Sequence, residues 1–204
     1  MSDFGFPKRS TVKRLLFNPV SKAVAVSVRP RGETSPVTRL YWRRNNEGIY
    51  HQLGRPQANI SFDSPVVATS APFLFFNVIR YRKLNAGMVK KKGRPSLGGL
   101  WGGDWVGVYR ADLRDGKVQG VLNGTQLAAI VGIGQVWVSS LVLALEDGRG
   151  VYAVIGFPKA ADMSTDLPGV GTVKLTKHVA YHLCKLDLKA KQLEKLTQLQ
   201  GTFY

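Results

Sequence analysis

The chain has 204 residues, one cysteine and a formal net charge of +16, a length that supports one sizeable core without disulfide or metal staples. Cys184 has no partner within the chain, so a disulfide framework is excluded and a reducing, cytoplasmic setting is expected. The opening MSDFGFPKRS mixes acid with base and has no apolar stretch behind it, which is not the layout of a secretory signal.

Residues 1–11 read as a basic tail and residues 12–204 as one domain. Lys and Arg number eleven against three acids in residues 1–60, ten against four in 61–120, and eight against six in 121–204. Such a field attracts polyanions, nucleic acid among them. Helical periodicity is nearly absent, while short β-branched and aromatic runs bounded by Gly, Pro, Asn and Asp recur, which is an all-β pattern. The first predicted strands are Lys13–Phe17, Ala23–Arg29, Arg39–Arg43 and Gly48–Leu53. Here Arg39, Arg43 and Arg44 alternate with Tyr41 and Trp42, close to Arg29 and Arg31. Bases interleaved with aromatics suit single-stranded nucleic acid, with phosphates on guanidinium groups and bases on rings. An ordinary half-exposed strand gives the same letters.

Strands Asn59–Phe62 and Phe73–Arg82 follow, and then a basic, Gly-rich insertion at 83–104, KLNAGMVKKKGRPSLGGLWGGD. It is longer than the connections compact domains use. Its Lys90, Lys91, Lys92 and Arg94 surround a Gly-Arg-Pro core that resembles an AT-hook, without the second basic residue after the proline; a solvated loop is the competing expectation. Trp101 and Trp105, among the four glycines of residues 98–105, are candidate ligand-contacting aromatics together with Trp42, and packing on the core is their alternative.

The remaining predicted strands are Trp105–Leu113, Lys117–Leu122, Ala128–Ile133, Val136–Leu145, Val151–Phe157, His178–Leu188 and Gln192–Leu196. Residues Val121 to Leu145 carry no charge and are long enough for a spanning helix. Asn123, Thr125, Gln126, Gln135, Ser139 and Ser140 interrupt that run and no Lys/Arg girdle flanks it, so buried strands and no membrane span are expected. His178 and His182 on one strand stand about 13 Å apart, too far for one ion, and no carboxylate joins them. Asp162 and Asp166 read as turn and cap residues. Nucleophile-elbow and phosphate-loop spacings are absent, so no catalytic residue and no cofactor are expected.

A repeat narrows the architecture. The segment from Tyr109 to Val121 aligns without a gap on the segment after Val179: Asp112 matches Asp187, Leu113 matches Leu188, Val118 matches Leu193 and Val121 matches Leu196. Each half is an alternating strand ending in Asp-Leu, a polar turn and a second alternating strand. Residues 38–54, TRLYWRRNNEGIYHQLG, form a looser copy. The motif, as in HLCKLDLKAKQLEKLTQL, resembles the outer two strands of a blade in TolB-type and WD-repeat-like β-propellers, over about half the chain and at the level of the repeat. The resemblance implies that ISFDSPVV (60–67), carrying the Asp-Ser-Pro turn of such blades, and VYAVIGFP (151–158) are inner strands.

Thirteen short strands make about three four-stranded antiparallel blades, fewer than a closed propeller uses. The expected fold is therefore an incomplete β-propeller, completed by a homo-oligomer or by further C-terminal blades. The leading functional expectation is a non-enzymatic interaction module that holds a protein or peptide through rim loops. The alternatives are the front part of a propeller gating a prolyl-oligopeptidase-like serine peptidase, which the resemblance implies, and a nucleic-acid binder using the 90–94 loop.

Overall fold

The computed structural model describes residues 5–7, 9–31, 37–55, 57–83, 101–158, 164–167, 171–174 and 179–199. Three four-stranded antiparallel sheets carry the fold, each an up-and-down meander. Blade 1 holds β1 (Ser10–Asn18), β2 (Ala23–Pro30), β3 (Arg39–Arg44) and β4 (His51–Gln52) in that order. Blade 2 holds β5 (Ile60–Val67), β6 (Phe73–Lys83), β7 (Trp101–Asp112) and β8 (Val118–Asn123). A short helix, α1 (Gly124–Val131), leads to blade 3, whose order is β9 (Trp137–Ala144), β10 (Gly150–Pro158), β13 (Val179–Asp187) and β14 (Gln192–Leu199). The small hairpin β11 (Ser164–Leu167) and β12 (Gly171–Lys174) interrupts blade 3 between its second and third strands.

The blades stack through two cores. Phe75 and the buried faces of β9 and β10 meet between blades 2 and 3, while Leu74, Phe76 and Val78 meet Ala25, Leu40 and Trp42 between blades 1 and 2. The run FLFFNV of β6 is therefore covered on both faces, which is why it reads as continuous rather than alternating. The first strand of each following blade does the packing: β5 lies against β1, β2 and β3, and β9 against β5, β6 and β7. No core cluster joins blade 1 to blade 3 among the described residues. The outer face of blade 1 exposes Val12, Leu15 and Phe17, and blade 3 exposes Val142 and Leu143.

The repeated hairpins are the third and fourth strands of the three blades. The Asp-Leu motif has a physical role in blades 2 and 3. Asp112 Oδ1 accepts the Arg114 N–H at 2.9 Å, and Asp187 Oδ1 accepts those of Lys189 and Ala190 at 3.0 and 2.8 Å, so each aspartate closes its own turn. The leucine N–H then ties the outer hairpin to the inner one: Leu113 donates to Pro72 O at 2.8 Å and Leu188 to Arg149 O at 3.0 Å.

Several expectations need correction. Ala128–Ile133 is not a strand; most of it lies in α1, because Asn123 and Gln126 form a reciprocal capping box, each side chain accepting the other's N–H at 2.9 Å. Gly132, at φ 74, ends the helix. The uncharged run 121–145 thus breaks into strand, helix and strand, and among the described residues no helix is long and apolar enough to cross a membrane. The Asp-Ser-Pro of 63–65 is a bulge within β5, with Ser64 at φ 49, rather than a turn. In blade 3, 151–158 is the second strand, on the inner side of the β13–β14 hairpin as expected, with β9 at the edge of the sheet. The Gly48–Leu53 strand shrinks to two residues.

Candidate functional site: an arginine rim

Up-and-down meanders give the stack two unlike rims. One carries only tight turns: 19–22, 68–72 and 145–149 between first and second strands, and 45–50, 113–117 and 188–191 between third and fourth. At the other rim lie the strand ends joined by 31–38, 84–100 and 159–178, and the links 53–59 and 124–136 between blades.

Charge divides unequally between them. Within the three blades and their turns, Glu47, Asp112, Asp115, Glu146, Asp147, Asp187 and Glu194 lie at or beside the short-turn rim, and only Asp63 and Asp104 lie toward the long-loop rim. The short-turn acids are largely matched by neighbours. Asp112 pairs with Arg114, Asp115 with Lys117 at 3.0 Å, and Arg149 with both Asp147 and Asp187 at 3.4 and 3.2 Å. The Arg114 guanidinium, bonded to Asp112, holds that carboxyl below the usual carboxylate range, and a backbone bond from Lys117 does the same for Asp115.

At the long-loop rim the strand ends bring together Arg9, Arg29, Arg31, Arg39, Arg55, Arg80 and Arg82, all exposed except the half-buried Arg39. Register places them: Thr11 pairs with Arg29, Val28 with Arg39, Ile60 with Arg80, and Arg80 with Asp104. Blades 1 and 2 are sewn together there, since Phe62 N–H donates to Thr38 O at 2.9 Å and Thr38 N–H to Ser61 Oγ at 2.8 Å. Ser61 Oγ in turn donates to Asp63 Oδ1 at 3.0 Å. Burial raises the Asp63 carboxyl above its ordinary value, against the opposing pull of Ser61, Thr38 and the Arg29 charge. Burial, and then the Asp63 charge, also raises Tyr81. Arg82 meets Asp104 at 3.5 Å. Seven guanidiniums against two carboxylates, one of them half-buried, leave this rim strongly positive.

The sequence-predicted residues fall differently. Lys90, Lys91, Lys92 and Arg94 lie outside the described residues, as does the side chain of Trp101. Arg39, Arg43 and Arg44 do not make one patch. Arg39 is at the long-loop end of β3, while Arg43 and Arg44 are at the other end and on opposite faces. Arg43 donates to Glu47 O and sits 5.0 Å from the Tyr50 ring, and Arg44 reaches across to donate to Arg114 O. Trp42 is a packing residue, 7% exposed in the core between blades 1 and 2. Trp105 packs against the core between blades 2 and 3, with its Nε1 buried and unpaired. The His182 and Phe157 rings meet nearly perpendicular with centroids 5.2 Å apart; His178, Asp162 and the side chain of Asp166 lie outside the described residues. Burial pushes the Cys184 thiol up to about 11, so it is protonated at neutral pH. Among the described residues no three His, Cys, Asp or Glu side chains converge as a metal set.

Sequence reasoning missed Arg9, Arg55, Arg80 and Arg82, because positions spread over more than seventy residues meet only through strand register. Compared with known proteins, the chain matches no protein-family model and no curated protein sequence.

Proposed function

We propose that this is a non-enzymatic, propeller-type interaction module that holds an acidic protein or peptide at the long-loop rim. The observation that carries the reading is the charge asymmetry: exposed arginines gather on one rim, while most acids close turns on the other. Arginine suits this role because its planar fork takes carboxylate or phosphate in two parallel bonds and stays charged. Exposed apolar residues on the outer faces of blades 1 and 3 support a ring completed by further blades, a second copy being one source of them. Titration with poly-L-glutamate over a salt series tests the binding: the reading expects affinity that falls as salt rises. No binding at low salt defeats it, and a marked preference for a single-stranded oligonucleotide of equal charge assigns the rim to nucleic acid instead.

A further inference from the structure

We infer that the groove between blades 1 and 2 is a docking site for an extended acidic peptide with one large apolar anchor. The inference rests on the arginine-rim reading for its charged end and on separate geometry for its apolar end.

The groove exists because the two blades are unequal. Strand β8 has six residues and β4 only two, so the short outer strand of blade 1 leaves the outer half of blade 2 uncovered. What would be core is left open. Val106, Tyr109 and Val118 pack against the cluster between the blades yet remain only partly buried. With Phe62 they line a groove of about 470 Å³, room for one large side chain and its adjoining backbone. Gly54, at φ 70, keeps one wall low, since a Cβ there would stand 3.2 Å from the Phe62 ring.

Charge selects the occupant. Arg55 and Arg80 stand at the long-loop end of the groove and no acid lines it. The larger groove between blades 2 and 3, about 820 Å³, differs: its Arg149 is paired with Asp147 and Asp187, and its Arg110 lies 4.3 Å from the Phe73 ring. A ligand there meets an Arg149 already matched and both of its carboxylates. The first groove joins an open apolar floor to Arg55 and Arg80 with no acid in its lining, which fits a phenylalanine or leucine flanked by glutamates.

The test compares the labelled peptides Glu-Glu-Phe-Glu-Glu and Glu-Glu-Ala-Glu-Glu by fluorescence polarisation. The phenylalanine peptide is expected to bind about tenfold or more tightly, the gain of burying one aromatic side chain. Val118→Asp should abolish that preference, and Arg55→Glu with Arg80→Glu should weaken binding of both peptides. Equal affinity of the two peptides for the unaltered protein overturns the inference, as does a preference that survives Val118→Asp. Amide shift mapping on the unaltered protein guards against a folding defect: perturbations must follow Val106, Tyr109 and Val118, and a pattern elsewhere is contrary. If the phenylalanine peptide binds through the groove while poly-L-glutamate does not bind at all, the rim reading fails and the groove stands.

Discussion

The Trp42 indole lies so close over Gly116 that a Cβ on the glycine would stand 2.7 Å from the ring, fixing the blade 2 turn against the third strand of blade 1. Gly116 also has φ 73, a conformation L side chains avoid. Gly116→Ala should therefore destabilise by about 2 kcal/mol or more in denaturant titration, through strain and overlap together. Gly120→Ala is the control: its Cβ would meet only Tyr109 at 3.5 Å, an ordinary contact, and stability should hold or rise slightly.

A second tie between the same blades is polar. The fully buried Asn18 donates to Ala68 O at 2.9 Å and Ala71 O at 2.8 Å, and its Oδ1 accepts from Ser21 N–H and Oγ. Asn18→Ala strands two carbonyls and should cost about 2 to 4 kcal/mol. Asn18→Asp, which turns a carboxylate toward those carbonyls, should cost at least as much at pH 7 by the same unfolding measurement.

Asp63 gives a pH signature. Its folded carboxyl is raised above 3.8, so the folded chain holds that proton more tightly than the unfolded chain. Stability from this group is then greatest at low pH and is lost as pH rises through the folded value. Asp63→Asn keeps an acceptor for Ser61 and should be at least as stable as the parent at pH 7, with the gap closing as pH falls toward about 4. A variant that is less stable at neutral pH contradicts the burial-dominated account.

Cys184 has no exposed surface and a thiol raised to about 11, mainly by burial and slightly offset by Lys195. Reaction with a disulfide reagent at pH 8 should be slow in the folded chain and complete on unfolding. Rapid stoichiometric reaction of the folded protein would show an open site.

The hairpins were legible because their signals are local: an aspartate closing its turn, a leucine after it, and alternation on either side. The run from Phe73 to Arg82 was likewise legible as a strand, though not its burial on both faces. The helix at 124–131 was legible in part, since Asn123, Gln126 and Gly132 are cap residues, but the apolar LAAIV between Gln126 and Gly132 has the composition of a buried strand. The rim was not legible. Arg29, Arg55 and Arg80 gain a common setting only when antiparallel register aligns the ends of β2 and β6 with the link between blades. Conversely, Arg43, Arg44 and Trp42, neighbours in sequence, point to different faces and spend their contacts within the protein.

The direct test of the rim is a pair of triple variants with equal change in charge, Arg29→Glu/Arg31→Glu/Arg80→Glu at the long-loop rim and Lys22→Glu/Lys117→Glu/Lys189→Glu at the short-turn rim, each titrated with poly-L-glutamate at one fixed low salt. The account predicts a loss on the order of tenfold or more for the first and at most about threefold for the second. Equal losses would mean that net charge alone, and not the arginine rim, holds the acidic partner.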